Sequence, residues 1–268
     1  LATSYIPGSA ADPNSYAHWR IINMKGEIVV NEFPNHHSFT TYIKEGLAQF
    51  NKDFKYGFVD KNGKIKIKNI YDEARDFSNG FAAVKLNEKW GIIDTAGNVK
   101  VDFQFTNEPM PVHCGRTFVL GANFKFALID TSGKIIVDPE YKQVFPFNEG
   151  FTVVSKMDDK YQETWYIIDV NGKVIKEFKQ TGKEKDKIAF YSGFSEGLAV
   201  AQQGYGANRG FIDTKGKVVI PFDFSMKLGT FNNGLAYAEK FEKKTNKKTA
   251  GFIDKKGKFV LLVEQPKF

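Results

Sequence analysis

One short motif recurs seven times along the 268 residues: an aliphatic residue, Asp (Asn in the first copy), two variable residues and Gly. The copies are Ile22–Gly26, Val59–Gly63, Ile93–Gly97, Ile129–Gly133, Ile168–Gly172, Ile212–Gly216 and Ile253–Gly257. Their glycines stand 37, 34, 36, 39, 44 and 41 residues apart. A period of this size means one supersecondary unit copied in tandem, too small to bury a face alone and so stacked on its neighbours. The repeat also accounts for most of the Phe, Gly and Asp residues, which cannot then be counted again as catalytic candidates.

Residues 77–103 display the unit. Phe77-Ser78-Asn79-Gly80 reads as a turn, 81–86 as a strand, 87–89 as a turn, 90–94 as a strand, 95–97 as a tight turn and 98–102 as a third strand. The connection to the next unit has room for a brief fourth strand. Asp94 is expected to accept hydrogen bonds from the N–H groups two and three residues on, and Gly97 to take a positive φ. Gly91, inside the second strand and matched by Gly57, Gly210 and Gly251, reads as a packing contact between adjacent units. A second signature, Phe-x-x-Gly followed by Leu/Phe and Ala/Thr, begins at Phe77, Phe147, Phe194 and Phe231, with weaker copies at Ile43 and Val112. Its regular phenylalanines read as core between units.

The pattern resembles the bacterial WG-repeat (KWG-type) family. The resemblance rests on Lys89-Trp90-Gly91-Ile92-Ile93-Asp94-Thr95-Ala96-Gly97, on residues 56–64 and 210–221, and on the Phe-x-Glu-Gly-Leu-Ala element at 194–199. It spans about residues 18–262, although Trp-Gly itself survives only at Trp90-Gly91 and the fourth and fifth units depart most. It implies a bacterial, often envelope-associated repeat protein, with no reaction and no family-wide active site. The expected fold is all-β: tandem antiparallel β-meander repeats arranged as a seven-bladed β-propeller, with an open β-solenoid of hairpins as the alternative. Residues 18–268 then form one repeat domain, and residues 1–17 supply missing strand material that closes the ring.

Composition narrows function mostly by exclusion. Apolar content of 42%, aromatic content of 15% and 24 glycines suit strands and tight turns. The net charge of +7 is spread among interleaved acids, with denser lysines in 176–187 and 239–248. No stretch approaches the roughly 20 apolar residues of a membrane-spanning helix. A single cysteine, Cys114, permits no internal disulfide and no zinc ligand set. The repeat aspartates, Asp60, Asp94, Asp130, Asp169, Asp213 and Asp254, lack the alternating oxygens and late glutamate of a calcium loop and read as turn caps. His36 and His37 diverge in an extended segment, and the adjacent pair His113-Cys114 lacks the geometry of a nucleophile and its base. No phosphate loop, nucleophile elbow or His-Glu-x-x-His is present. The basic clusters carry no interleaved aromatics, so nucleic acid is not an expected partner. No metal, cofactor or catalytic residue is expected.

What remains is binding. The first expectation is a non-enzymatic scaffold in the bacterial envelope or at the cell surface (periplasmic, surface-bound or secreted) that docks a protein through loops at 156–164, 176–187 and 240–249. Lys183, Lys185, Lys187, Lys243, Lys244, Lys247 and Lys248 are its candidate contacts. The alternative is a carbohydrate or cell-wall polymer binder that stacks sugars on aromatics outside the repeat register: Trp19, Tyr161, Trp165, Tyr191 and Tyr205. An enzyme working in a central pocket is the least supported reading, because no convergent set of polar residues stands outside the repeat.

Overall fold

The computed structural model describes residues 2–6, 18–22, 25, 27–30, 43–180, 183, 186–204, 208–242, 245 and 247–263. Among them every regular element is a strand, and no helix is long and apolar enough to cross a membrane. The strands form seven antiparallel sheets, each a meander whose spatial order is its chain order. The first contains β1 (Ala2–Ile6), β2 (His18–Ile22) and β3 (Ile28–Val30), and the second β4 (Leu47–Lys52), β5 (Lys55–Asp60) and β6 (Ile65–Tyr71). The third contains β7 (Glu73–Ala74), β8 (Phe81–Leu86), β9 (Lys89–Asp94) and β10 (Val99–Phe105). The fourth contains β11 (Arg116–Leu120), β12 (Phe126–Asp130) and β13 (Ile135–Tyr141). The fifth contains β14 (Gln143–Val144), β15 (Phe151–Met157), β16 (Glu163–Asp169) and β17 (Val174–Phe178). The sixth contains β18 (Ile188–Ser195), β19 (Leu198–Gln203), β20 (Arg209–Asp213) and β21 (Val218–Phe224). The seventh contains β22 (Ala236–Glu242), β23 (Lys247–Ile253) and β24 (Phe259–Leu262). Within residues 1–17, β1 completes the first sheet by pairing with β2, from Ala2↔Ile22 to Ile6↔His18. The chain forms two compact units, Leu1–Gly121 with Ile129–Ile135 and Ala122–Leu128 with Ile136–Phe268.

Two kinds of turn build each meander. In the Phe-x-x-Gly signature, Ser78 and Phe81 exchange backbone hydrogen bonds across Asn79 (φ 52°) and Gly80 (φ 84°). Two consecutive positive φ values are those of a type I′ turn, whose twist matches that of the flanking strands. In the Asp motif, Asp94 Oδ1 accepts from the N–H of Ala96 (3.0 Å) and of Asn98 (2.9 Å). The N–H of Gly97 instead donates to the Asp94 carbonyl. The carboxylate thus caps the second and fourth residues on, not the second and third, because the backbone carbonyl takes the N–H in between. Asp60, Asp130, Asp169, Asp213 and Asp254 repeat the arrangement.

The core lies between consecutive sheets. In the first unit Leu47, Phe58, Ile67 and Tyr71 of the second sheet pack with Ala74, Phe77, Ala82, Val84 and Ile93 at the third. The signature phenylalanines are central to these layers: Phe77 meets Phe58 edge-to-face at 4.7 Å, and in the second unit Phe231 meets Phe211 at the same distance. The seams are laced by polar groups. Gly80 N–H donates to Glu45 at 2.8 Å, Asn79 Nδ2 to the Val112 carbonyl at 3.0 Å, and Asn148 Nδ2 to the Phe194 carbonyl at 3.1 Å.

The glycines divide their work differently from the sequence expectation. A Cβ on the strand glycine Gly91 would meet Val101 O at 2.7 Å, and one on Gly57 would meet Ile67 O at 2.6 Å. These neighbours belong to the third strand of the same sheet, so the strand glycine is not a contact between units. It lets that strand approach closely: β5–β6, β9–β10 and β20–β21 each carry two register shifts there, and β23–β24, with Gly251, carries one, as does β16–β17 with Tyr166 at the equivalent place. The turn glycines make the contact between units. The Gly97 α-carbon seats the Ile67 side chain, and that of Gly133 seats Val101, both from the preceding sheet.

Two outcomes follow. Gly91→Ala should lower stability by roughly 1–3 kcal/mol, because the added methyl meets backbone, whereas Gly150→Ala, with open space around it and only its φ of 85° to strain, should cost about 1 kcal/mol; denaturant midpoints compare them. The hydrogen bond from the Asn98 side chain holds the Asp94 carboxyl below the usual carboxylate range, and those from the Ser132 hydroxyl and the Lys258 N–H do the same for Asp130 and Asp254. A depressed folded pKa stabilises fully above the unfolded value, about 3.9, and that gain is lost as pH falls through the folded value. The triple variant Asp94→Asn, Asp130→Asn, Asp254→Asn should therefore lose less of its melting temperature than the parent between about pH 5 and pH 2.

Candidate ligand cleft

The turn from β15 to β16 copies the Asp motif without its glycine. Asp158 Oδ1 accepts from the N–H of Lys160 (2.9 Å) and of Gln162 (2.8 Å), and Tyr161 N–H donates to the Asp158 carbonyl (3.0 Å). Tyr161 thus occupies the slot held by Gly63, Gly97, Gly133, Gly172, Gly216 and Gly257, and it adopts their left-handed conformation with φ 59°. For a bulky L-residue this costs on the order of 1–2 kcal/mol. Its ring is 85% exposed, so core packing does not repay that cost.

Tyr161 stands at the mouth of a cavity of about 350 Å³ inside the second unit. The walls come from the β15–β16 turn (Tyr161, Gln162, Glu163), the β17–β18 connection (Gln180, Lys187, Ile188) and the end of β19 (Gln202, Gly204), with Trp165 and Tyr191 contributing aromatic surface. Glu163 Oε1 accepts from the Ser155 hydroxyl at 2.7 Å and from Gln143 Nε2 at 2.8 Å, which fixes the carboxylate. Gln180 Nε2 donates to the carbonyls of Phe178 (3.0 Å) and Ile188 (2.7 Å) and braces the connection. Gln202 Nε2 donates to the Gly204 carbonyl at 3.1 Å. The Arg209 guanidinium lies 3.7 Å from the Tyr191 ring centroid and is anchored to the Met226 carbonyl, so the ring is held although 47% exposed. Held aromatic surface beside planar amides can stack a flat face and exchange hydrogen bonds, and the described lining contains no nucleophile–base pair.

Among the residues expected to bind, Tyr161, Tyr191 and Lys187 meet at this cleft, although the sequence reading divided them between two partners. Trp165 is corrected. It is 3% exposed, stacked on Phe145 at 6.3 Å and tilted against Phe190 at 5.8 Å, and it reaches the cleft only as its floor. It stands four residues before Asp169, as Trp90 stands before Asp94, so it is in register with the repeat and belongs to the core. Lys183 is exposed beyond β17. Lys248 is on β23 rather than in a loop, paired at 2.9 Å with the buried carboxylate of Glu239. Strand pairing enters the ends of both segments, since Lys156 pairs with Thr164 and Lys240 with Thr249, which leaves 158–162 as the turn of the first and makes 240–242 and 247–249 strand in the second. Diagonal pairs such as Lys248 with Glu239 let charged residues extend a hairpin. Lys185, Lys243, Lys244 and Tyr205, and the side chains of Trp19 and Lys247, lie outside the described residues, as do His36 and His37. Cys114 is exposed in a type I′ turn, and the His113 ring is held by Asn79 at 3.3 Å with its pKa lowered by burial.

Sequence reasoning missed Gln162, Glu163, Gln180 and Gln202. Gln180 and Gln202 fall within the longest repeat interval, 44 residues from Gly172 to Gly216, which was their signal, whereas Gln162 and Glu163 precede it and had none.

The sequence model described as "WG containing repeat" matches residues 56–90, 90–107, 126–161 and 210–243. Its unmatched stretch between 161 and 210 contains every cleft residue except Tyr161. No curated protein matches the sequence. Among solved structures, the fold is similar to the crystal structure of a eukaryotic initiation factor, with TM-score 0.62 and 9% identity over 98% of this chain and 73% of that one. BamB from Moraxella catarrhalis (TM-score 0.34, 9% identity, 90% and 94% covered) and a putative TolB from Agrobacterium tumefaciens (0.34, 9%, 88% and 84%) are also similar. At 9% identity the likeness to the initiation factor is one of fold alone, a repeat of antiparallel β-sheets.

Tyr161→Gly places glycine in a left-handed slot. Its melting temperature should equal or exceed that of the parent, by up to about 1 kcal/mol of stability once the greater freedom of the unfolded chain is subtracted. A marked fall would make the ring a structural element.

Proposed function

The chain carries WG repeats, and from that premise we propose that it is a non-enzymatic binding scaffold of the bacterial envelope or cell surface that docks a protein partner through its loops. The observation that carries this reading is the recurrence of exposed aromatics at one turn of the meander. Phe54 joins β4 to β5, Phe124 joins β11 to β12, and Tyr161 joins β15 to β16. They are 92%, 83% and 85% exposed, and all three have left-handed φ values between 57° and 61°. A bulky residue in that conformation is strained. A phenylalanine held in water against that strain gains nothing for the isolated fold, whereas aromatic anchors of this kind supply much of the energy of protein interfaces. Lys55 follows Phe54, Lys125 follows Phe124 and Lys160 precedes Tyr161, so each tip offers an apolar anchor with a basic neighbour, suited to an acidic-rimmed surface.

Absence of catalysis is part of the proposal. The repeat aspartates spend an oxygen on two backbone N–H groups each, and among the described residues no group of three or more His, Cys, Asp or Glu is placed to hold a metal.

The test uses Phe54→Ser with Phe124→Ser, which leaves the cleft intact. Capture of envelope proteins by the parent chain should yield a defined partner, and the double variant, at unchanged melting temperature, should bind that purified partner at least about tenfold more weakly. Equal affinity in parent and variant would remove the loop tips from the interface.

A further inference from the structure

We infer that the cleft of the second unit is a binding site for a short neutral saccharide, built at the Tyr161 tip and distinct from the Phe54 and Phe124 tips. Three features select this chemistry. Tyr161 and Tyr191 offer ring surface in one cavity, and Arg209 restrains Tyr191, so little ring freedom is lost when an apolar pyranose face stacks on it. Around the rings stand Gln162, Gln180 and Gln202: Gln180 spends both amide hydrogens on backbone carbonyls and presents its oxygen as an acceptor, Gln202 spends one on Gly204, and Gln162 can both donate and accept, as the hydroxyls of a sugar do. Among the described residues the charged lining is one acid and one base, Glu163 and Lys187. A phosphate or a uronate would need a surplus of cationic donors, so the molecule's overall positive charge does not extend to this cavity as an anion site.

Size and placement agree with chemistry. A volume of about 350 Å³ is at the small end of the roughly 300–1,000 Å³ typical of small-molecule sites, enough for about one or two sugar rings and too small for a folded partner. All of the lining but Tyr161 comes from the stretch that the family model leaves unmatched, and Gln180, Lys187, Tyr191 and Gln202 fall in the longest repeat interval. Tyr161 holds, at a conformational penalty, the left-handed conformation that the Asp-motif turns give to glycine. Strain retained beside a polar and aromatic cavity points to a function of that cavity.

The experiment is titration of the full chain with maltotriose, cellotriose and triacetylchitotriose, followed by calorimetry and intrinsic fluorescence. At least one should bind and perturb the aromatic emission, and raising sodium chloride from about 50 to 500 mM should leave its affinity unchanged, because no net charge is neutralised. Tyr191→Ala and Tyr161→Gly should each weaken it by about tenfold or more at unchanged melting temperature, whereas Phe54→Ser with Phe124→Ser should leave it as in the parent. No binding of any of the three at about 10 mM would overturn the inference. So would affinity unaffected by the tyrosine variants, or binding of a polyuronate alone with steep salt dependence. None of these outcomes bears on protein docking, which the phenylalanine variant reads separately.

Discussion

A side chain is missing at one place in the repeat, and at Gly97, Gly133, Gly172, Gly216 and Gly257 the third strand of the preceding sheet meets it there. The turn glycine has a positive φ and no Cβ, so an aliphatic residue from the third strand of the preceding sheet can sit directly on its backbone. Ile67 does this over Gly97 and Val101 over Gly133. The seat works only if the turn is held in shape, which is the task of the Asp carboxylate capping two N–H groups from outside the strand. It also requires that the third strand be drawn in toward its own second strand, which the strand glycine permits. Cap, bulge and seat form one device, and the aromatic layers of the core depend on the spacing it sets.

Departures from that device carry the chain's individual character. Where the first-to-second turn takes the geometry of the Asp motif, it holds Tyr161 in place of glycine, and the ring faces solvent instead of being covered by a preceding strand. Where the strand glycine becomes Tyr166, the third strand β17 pairs with β16 with a single register shift. Both changes lie in the fifth sheet, in which the longest repeat interval begins, 44 residues from Gly172 to Gly216. The cavity opens beside them, where Gln180 bridges the Phe178 and Ile188 carbonyls. Local rules broken without a packing gain are expected at functional positions.

The fold was legible because its determinants are short-range. The Asp-x-x-Gly and Phe-x-x-Gly turns are read from four or five consecutive residues, and period-2 alternation supplies the strands between them. Errors arose where a reading needed a second segment. Gly91 looked like a contact between units, yet its neighbour is Val101 of its own sheet, ten residues on. Trp165 looked free of the repeat because Tyr166 disguised the Trp-Gly pair. Lys240–Thr249 looked like a loop because its composition is basic and polar, whereas ladder pairing continues wherever the two arms of a hairpin match in length and cross-strand charges are satisfied, as Glu239 and Lys248 show.

By itself the sequence determined the unit, its turns, its antiparallel meander and the identity of its core phenylalanines, because each follows from backbone conformations that only certain residues adopt. Only tertiary structure decided which residues share a site. Tyr161, Gln180, Tyr191 and Gln202 belong to four different segments, and none is set by its neighbours in the chain to face the others. Their meeting follows from how the fifth and sixth sheets stack through Val153, Ile167, Phe190 and Ala199, a contact between faces that no local pattern encodes. The same stacking joined aromatics and a lysine that composition alone had assigned to different partners.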